Sequence, residues 1–336
     1  MNRLKSAIVG CGGIAQVHAA VLSHQETAEL AAFCDIRPER AQKLAETYGG
    51  NPYGSLEEML EKERVDVLHI CTPHVLHTPM AKLAAQKGIH IFTEKPPVID
   101  EKQWEEFQAL QKNVRVGICF QNRYNASVQF IKDLLTTGKP GEIKGARAAV
   151  TWHREAPYYT ESGWRGSLST EGGGVLINQS IHTLDLLGQF LGRANSVDAS
   201  MSNHHLKNII EVEDTMEALI DFGGKPAVFF ATTAHCTDSP VLVELVCEHC
   251  TIRMEEQEVT LRWTDGAREH RELVSPLSPA AGKHYWGQSH GLCIEDFYDS
   301  ILHDRPFRND IPGVTDTVEL MLAMYRSARE HREVSL

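Results

Sequence analysis

Two short segments of the sequence carry side chains whose types and spacing could do chemistry. In "GGGVLINQSIHTLD", three glycines precede an apolar stretch with Asn178, His182 and Asp185 at i, i+4 and i+7, which predicts one face of a helix. In "FTEKPP", Lys95 stands between Glu94 and two prolines whose fixed dihedrals hold a loop rigid. A histidine carries protons near neutral pH, and a lysine ammonium stabilises negative charge on an oxygen.

The glycine-rich helix has three candidate uses: cradling a phosphate, ligating a metal through His182 and Asp185, or acid–base work by His182. A phosphate grip is the weaker use because "VGCGGIA" near the N-terminus already supplies one. One His and one Asp also lack the remaining ligands of a metal site, so no metal is expected. Acid–base work is therefore favoured, with a hydrogen-bonded core histidine as the structural alternative.

A second glycine motif lies between the first predicted strand and the first predicted helix. Gly10, Gly12 and Ala15 in "VGCGGIA" form a G-x-G-x-x-A pattern. The first glycine permits a tight turn, the second lets a pyrophosphate approach the backbone, and the alanine allows close helix–strand packing. Gly13 and Ile14 belong to the same site, because the N–H groups of the helix N-terminus face the phosphates.

The acidic residue at the end of the second predicted strand bears on the choice of cofactor. Asp35 lies twenty residues past Ala15, where a carboxylate can accept hydrogen bonds from the adenosine ribose diol. Such a carboxylate repels a 2′-phosphate, so NAD is expected rather than NADP. Arg37 and Arg40 keep NADP open, since a guanidinium beside the ribose could accommodate the phosphate.

The elements that position these residues change in kind along the chain. Residues 1–122 alternate strand-like runs with helical runs, which predicts a Rossmann domain with a doubly wound parallel sheet. Lys95 then follows the fourth predicted strand, at the carboxyl edge where such sheets bind ligands. Residues 123–336 show strand-like runs in hairpin order, which predicts an α+β domain with a large, mostly antiparallel open sheet. The last two predicted helices either belong to this domain or pack back on the first.

Composition excludes several function classes. The chain of 336 residues has 33 Lys and Arg against 45 Asp and Glu, a net charge of −12, so no nucleic acid or anionic membrane is expected as a partner. No apolar run is long enough to span a membrane, and the start of the chain lacks a signal-peptide pattern, so a cytoplasmic protein is expected. Of the eight cysteines, four in or beside apolar strand-like runs fit small buried side chains kept reduced: Cys11, Cys34, Cys71 and Cys119. The segment "CEHC" (247–250) fits a hairpin turn better than a zinc knuckle.

Taken together and in order, "GCGGIA" with His18, "CTPHVLHTPMA", "EKPP", "WRG" and "GGGVLINQSIHTLD" resemble the Gfo/Idh/MocA oxidoreductases, named for glucose–fructose oxidoreductase and inositol dehydrogenase. The resemblance extends over nearly the whole chain, to "AMYRSARE". It implies a Rossmann domain followed by a domain whose open sheet commonly mediates homodimers or homotetramers. It also implies NAD(P)-dependent oxidation of a secondary alcohol of a sugar, polyol or related cyclic substrate, or the reverse reduction.

Carried over by position, the resemblance implies that Lys95 and His182 are the catalytic pair, with Lys95 stabilising the substrate oxygen and His182 taking the hydroxyl proton. Many sugar dehydrogenases of the family carry Asp where this chain has Asn178, and an amide can only position substrate hydroxyls. The cofactor-side contacts that the resemblance implies are Thr72, Pro73, His77, Glu94, Lys95, Arg123, Trp164 and Arg165.

The substrate is expected to lie against loops of the second domain. Aromatic and polar side chains there suit a pyranose, whose faces are apolar and whose edge is hydroxylated. The expected substrate contacts are Lys95, Asn178, His182, His153, Tyr158 and Trp286. Two other functions stay open: a carbonyl or dihydrodiol-type reductase of the same family, and an NAD-binding regulatory protein without turnover.

Overall fold

The computed structural model describes residues 3–112, 114–275 and 289–336. They form two compact units: the first contains the described residues up to Gln121 together with 289–313, and the second contains Asn122–Ser275 and Val314–Leu336. The predicted domain limits, 1–122 and 123–336, stay predictions. Among the described residues, no helix is both long enough and apolar enough to cross a membrane.

The first unit is built on a six-stranded sheet in which every pairing is parallel. Its strands are β1 (Leu4–Val9), β2 (Ala28–Cys34), β3 (Asn51–Tyr53), β4 (Val67–Ile70), β5 (His90–Thr93) and β6 (Val116–Ile118). Across the sheet the strand order is β3-β2-β1-β4-β5-β6. Its first five α-helices are α1 (Gly13–His24), α2 (Pro38–Tyr48), α3 (Leu56–Lys62), α4 (His77–Gln86) and α5 (Glu101–Gln108). The predicted doubly wound parallel sheet is confirmed.

One strand of this sheet was missed from the sequence. β3 has only three residues and contains a proline, so neither its length nor its periodicity marks it as a strand. Lys95 therefore follows the fifth strand and not the fourth. The strand order reverses between β1 and β4, and the turns that leave these two strands lie where an open α/β sheet binds its ligand.

The second unit contains a nine-stranded sheet. Its strands are β7 (Ile143–Thr151), β8 (Ser196–Ser202), β9 (Thr215–Asp221), β10 (Pro226–Thr232), β11 (Leu242–Cys247), β12 (Cys250–Glu255), β13 (Glu258–Trp263), β14 (Arg268–Glu272) and β15 (Val334–Ser335). Across the sheet the strand order is β14-β13-β12-β11-β7-β10-β9-β8-β15. The remaining α-helices among the described residues are α6 (Ala126–Thr136), α7 (Ala156–Thr160), α8 (Ile181–Leu191), α9 (His290–Leu302) and α10 (Ile311–Glu330). A large, mostly antiparallel sheet was predicted and is confirmed.

The sequence predicted that consecutive strands of this sheet pair as hairpins, and this prediction is wrong for the central strand β7. β7 pairs antiparallel with β11 and parallel with β10, so the first strand of the unit lies between two later ones. β14 and β15 were not predicted: every residue of β14 is exposed, which removes the apolar alternation that marks a strand, and β15 has two residues. The predicted turn at "CEHC" is confirmed, because β11 ends at Cys247 and its antiparallel partner β12 begins at Cys250.

Residue 123 is tied to two helices of the second unit by a buried ion pair. The Arg123 guanidinium donates to both carboxylate oxygens of Asp185 in α8, with Nε 2.8 Å from Oδ2 and Nη2 2.5 Å from Oδ1. Thr317 in α10 donates its hydroxyl to the same Oδ1 at 2.6 Å. A buried carboxylate with these partners is fully compensated, so Asp185 is structural.

Candidate active site

The turn after β1 requires glycine at one position and leaves open space at another. Gly10 has φ of +85°, and a Cβ there would lie 2.7 Å from the backbone carbonyl of Cys71. A Cβ at Gly12 would meet nothing within 4 Å. Gly12 precedes α1, whose first turn has neither a side-chain cap nor an acidic residue. The first N–H groups of α1 can therefore receive an anion, and the phosphate contacts of Gly12, Gly13 and Ile14 stay predictions.

Asp35 fixes this turn from the end of β2. Its Oδ2 accepts a hydrogen bond from the Cys11 amide at 2.7 Å, and its Oδ1 accepts one from the Arg37 amide at 2.8 Å. A carboxylate oxygen can accept more than one hydrogen bond, so both oxygens can still receive ribose hydroxyls. The ribose contact of Asp35 and the cofactor contact of Arg37 stay predictions.

Ile36, between these two residues, was not singled out from the sequence. Its side chain is 89% exposed, directly after Asp35 at the carboxyl edge of the sheet. An apolar side chain in this place suits the face of an adenine ring. The available signal was the isolated isoleucine in "CDIRP", which breaks a polar turn.

His77 joins the two loops that flank the predicted nicotinamide site. The ring is buried, with Nδ1 2.7 Å from the carbonyl oxygen of Pro96 and Nε2 2.8 Å from that of Thr72. Burial lowers the pKa of His77, although both carbonyl oxygens oppose that shift. His77 therefore positions the loop that carries Lys95, and the cofactor contacts expected of Thr72, Pro73 and His77 stay predictions.

Glu94, beside Lys95, heads a buried chain of hydrogen bonds within the first unit. Its Oε1 accepts from Nε2 of His18 at 2.9 Å, and Nδ1 of His18 lies 2.9 Å from Nδ1 of His69. The Tyr298 hydroxyl lies 2.9 Å from Nε2 of His69 and 2.6 Å from the Ser6 hydroxyl. The chain links α1, β4, α9 and β1 to the residue before Lys95.

The charge states of these hydrogen-bonded side chains follow from their surroundings. Burial opposes ionisation of Glu94, but the hydrogen bond from His18 and the nearby Lys95 ammonium hold the pKa of Glu94 well below its usual value. Burial lowers the pKa of His69, so that ring is neutral. Ionised Glu94 thus lies next to half-buried Lys95, whose following prolines are both buried. Glu94 is bound to protein, and its predicted cofactor contact stays a prediction.

Cys119 places a third atom of a kind that can bind a metal next to His18 and Glu94. Its sulfur lies with the His18 and Glu94 ligand atoms in a group spanning 4.8 Å. His18 and Glu94 are already hydrogen-bonded at 2.9 Å, and burial raises the pKa of the Cys119 thiol well above its usual value. A protonated thiol beside a hydrogen-bonded pair is a poor metal donor set. The expectation that no metal is bound stays a prediction.

The segment carrying Asn178 and His182 is not one α-helix. Residues Val175–Ser180 form π-helical turns, and the α-helix begins at Ile181. The prediction of a regular helix is therefore confirmed after residue 180 and wrong before it. Asn178 and His182 are half-buried, whereas Asp185 is buried in its ion pair, so the three side chains do not form one polar site.

The glycines before these turns pack against protein. A Cβ at Gly173 would overlap the Tyr325 hydroxyl, and one at Gly174 would overlap the backbone carbonyl oxygen of Glu213. The Glu213 carboxylate accepts from the Gly174 amide at 2.9 Å and from the Tyr325 hydroxyl at 2.8 Å. The interpretation that these glycines clear space for a ligand is wrong for Gly173 and Gly174, whose neighbours within the unit demand glycine.

Glu171 is a buried carboxylate that the sequence did not single out. Its Oε1 accepts from the Asn178 side-chain amide at 2.5 Å, and its Oε2 accepts from the Gly166 amide at 2.5 Å. Burial raises the pKa of Glu171 to about 7. The one signal in the sequence was an acidic residue directly before three glycines.

Three of the predicted ligand contacts form a stack. The Arg165 guanidinium carbon lies 4.6 Å from the ring centroid of Tyr158 and 4.7 Å from that of Trp164, which is cation–π geometry. Nδ1 of His153 lies 2.6 Å from the carbonyl oxygen of His235, in another loop contact of the unit. The ligand contacts predicted for Tyr158, Trp164, Arg165 and His153 stay predictions. The ligand contact predicted for Arg123 also stays a prediction, and its guanidinium is bound to Asp185. Trp286 lies outside the described residues.

A six-stranded parallel sheet with a glycine turn, an acidic residue after β2 and an uncapped first helix defines the class of dinucleotide-binding Rossmann proteins. Comparison with known families agrees. Residues 4–119 match the sequence profile of the Gfo/Idh/MocA oxidoreductase family, NAD-binding Rossmann fold. Residues 128–253 match that of the Gfo/Idh/MocA C-terminal domain. The chain belongs to the Gfo/Idh/MocA family, and the predicted NAD-binding domain is confirmed.

Two curated relatives act on sugars. The chain is 32% identical over 195 residues to D-glucoside 3-dehydrogenase of Escherichia coli (strain K12), covering 56% of this chain and 54% of the relative. It is 26% identical over 231 residues to glucose-6-phosphate 3-dehydrogenase of Bacillus subtilis (strain 168), covering 65% and 62%. The chain thus spans between half and two thirds of the length of these relatives.

A solved structure matches over the full length. The WlbA dehydrogenase from Bordetella pertussis, in complex with NADH and UDP-GlcNAcA, has 27% identity and a TM-score of 0.86, with 100% of this chain and 99% of that chain covered. A levoglucosan dehydrogenase in complex with NADH and levoglucosan shares the fold with a TM-score of 0.86 at 20% identity, covering 99% of each chain.

The two glycines of the β1 turn are expected to respond differently to alanine. Gly10→Ala adds a Cβ that clashes with the Cys71 backbone at a positive φ, so we expect a destabilisation of roughly 2–4 kcal/mol in urea unfolding. Gly12→Ala, the matched control, adds a methyl group in open space; the unfolding midpoint is expected to stay, while the Kd for NAD rises about tenfold or more. Equal loss of stability in both variants would contradict this distinction.

Proposed function

We propose that the chain is an NAD-dependent dehydrogenase that oxidises a secondary hydroxyl of a sugar, polyol or related cyclic substrate. The observation that carries the proposal is the rigid placement of Lys95 at the carboxyl edge of the dinucleotide-binding sheet. His77 holds the carbonyl after Lys95, and the buried Glu94–His18 pair holds the residue before it. The activities named for the Escherichia coli and Bacillus subtilis relatives support the substrate class.

The roles follow from the chemistry of each side chain. Bound NAD supplies the acceptor for the hydride that leaves the carbinol carbon. The Lys95 ammonium donates a hydrogen bond to the carbinol oxygen and stabilises negative charge that develops there. His182 takes the hydroxyl proton, since its imidazole is the group with a suitable intrinsic pKa. Asn178 positions a substrate hydroxyl through its side-chain amide.

Substitution of the two proposed catalytic residues tests this function. Lys95→Ala and His182→Ala are each expected to lower kcat/KM by roughly 10²- to 10⁴-fold, because each removes a group that acts on the reacting oxygen or its proton. The measurement is NAD reduction at mildly alkaline pH across a panel of sugars, inositols and sugar acids, repeated with NADP and with the corresponding ketones in reverse.

The matched controls are Lys82→Ala and His249→Ala. Lys82 forms an exposed ion pair with Glu106, and His249 lies in an exposed turn. They are expected to keep wild-type rates. Normal turnover by Lys95→Ala or His182→Ala on a substrate that the wild type oxidises would show the assignment to be wrong. Faster reduction than oxidation across the panel would instead favour the reductase.

We also propose that the outer face of the nine-stranded sheet joins two copies of this chain into a homodimer, which can pair further into a homotetramer. Three apolar side chains on strands β9, β10 and β11 are exposed: Leu219 (60%), Val228 (51%) and Val246 (45%). Arg147 and Glu244 form a 2.7 Å ion pair in the same cross-strand row as Val228 and Leu219. A row with both signs of charge beside apolar residues is self-complementary, which suits a two-fold interface.

Val228→Glu is expected to convert the wild-type dimer or tetramer to a monomer, since it places an unpaired charge beside Leu219 within the proposed interface. Light scattering after gel filtration measures the mass, and Lys43→Glu, a charge reversal at an exposed position of α2 outside this sheet, serves as the control. A monomeric wild type at micromolar concentration would rule the interface out.

A further inference from the structure

The environment of Glu171 dictates which atoms of Asn178 can face it. Glu171 is fully buried; one carboxylate oxygen is held by the Gly166 amide, and the other receives the Asn178 side-chain amide. An ionised carboxylate can only accept hydrogen bonds, so Asn178 must turn its NH₂ group toward Glu171. The carbonyl oxygen of that amide then points the other way, as a hydrogen-bond acceptor.

Protonation of Glu171 reverses this constraint. A neutral carboxyl group donates through its O–H, and the Asn178 amide can rotate so that its carbonyl oxygen accepts from Glu171. Its NH₂ group then points away from Glu171, as a donor. A single proton on Glu171 therefore exchanges acceptor for donor on the side of the Asn178 amide that faces away from Glu171.

We propose that Glu171 is a positioning residue which sets, through its protonation, whether Asn178 presents an acceptor or a donor to the substrate oxygen. The inference rests on the proposed function, in which Asn178 positions a substrate hydroxyl. An alcohol donates to an acceptor and a ketone accepts from a donor. Ionised Glu171 thus selects the alcohol, and protonated Glu171 selects the carbonyl compound.

The charged groups around Glu171 place the switch in the physiological range. Burial raises its pKa to about 7, and the carboxylate of Glu213 acts in the same direction. The Arg165 guanidinium and the hydrogen bonds from Gly166 and Asn178 act in the opposite direction. Tyr159 and Tyr325 face the same carboxyl group, and burial raises the pKa of both phenols, so they stay neutral. Above about pH 7 Glu171 is ionised, and below that pH it is protonated.

A substrate-free measurement tests the switch by itself. In protein labelled with ¹⁵N at asparagine side chains, the Asn178 NH₂ resonance is assigned by its loss in Asn178→Asp. This resonance is expected to titrate with a midpoint near that of Glu171 and to stay constant in Glu171→Gln. The matched control is Glu211→Gln, because exposed Glu211 binds the backbone of the same loop without contacting Asn178. An Asn178 resonance that does not titrate, or that titrates equally in Glu171→Gln, overturns the proposal.

Kinetics then test the link to substrate choice. Between pH 6 and 8, the wild-type KM for the alcohol is expected to fall about fivefold, and that for the ketone to rise similarly, as one hydrogen bond between the neutral Asn178 amide and the substrate oxygen is gained or lost. Glu171→Gln is expected to flatten both KM trends. It is expected to leave the pH dependence of kcat unchanged, because that dependence reports on proton transfer to His182. Unchanged KM trends in Glu171→Gln overturn the proposal. Absence of any turnover in wild type, with a titrating NMR signal, instead refutes only the proposed function.

An exchange of the two side chains guards against a variant that fails to fold. Asn178→Asp alone places two carboxyl groups in contact, and these repel or share a proton, so about a tenfold loss of kcat/KM above pH 7 is expected. The double variant Glu171→Gln/Asn178→Asp restores one acid and one amide, with Gln still able to accept from Gly166. Recovery to within about threefold of wild type supports the proposal. A double variant no better than Asn178→Asp overturns it.

Discussion

A buried carboxylate must receive hydrogen bonds or a positive charge, and this requirement organises every region predicted to do chemistry. Asp35 is held by two backbone amides, and Glu94 by the ring of His18. Asp185 is held by the guanidinium of Arg123, and Glu171 by the amides of Gly166 and Asn178. In each case the carboxylate or its partner lies in a turn or loop, so satisfying the carboxylate also fixes the backbone of that segment.

The partners also decide what each carboxylate can do. Glu94 has a histidine and a lysine beside it, which keep it ionised in spite of burial and give Lys95 a fixed negative neighbour. Glu171 has neutral amides as its hydrogen-bond donors and another carboxylate nearby, so burial dominates and raises its pKa to about 7. The same side chain is thus a constant anion in one place and a group that changes charge near neutral pH in the other.

The sequence predicts what depends on local pattern. The alternating strands and helices of the first unit, the tight turn at Gly10 and the placement of Lys95 follow from periodicity, glycine geometry and the edge rule for parallel sheets. What it misses depends on partners distant along the chain. The need for glycine at 173 and 174 comes from Tyr325 and Glu213, and the parallel pairing of β7 with β10 joins strands some eighty residues apart. The π-helical turns at Val175–Ser180 and the burial of Glu171 likewise leave no periodic signal.

Direct transfer of hydrogen from a sugar carbon to the nicotinamide tests the central claim most directly. The purified protein is incubated with NAD and with substrates from the sugar and polyol panel that carry deuterium at each secondary carbinol carbon in turn. The account predicts that one labelled position yields NADH with deuterium at C4 of the nicotinamide, together with a slower rate for that substrate. NAD that binds without being reduced by any member of the panel, or reduced cofactor free of deuterium for every labelled position, would contradict it.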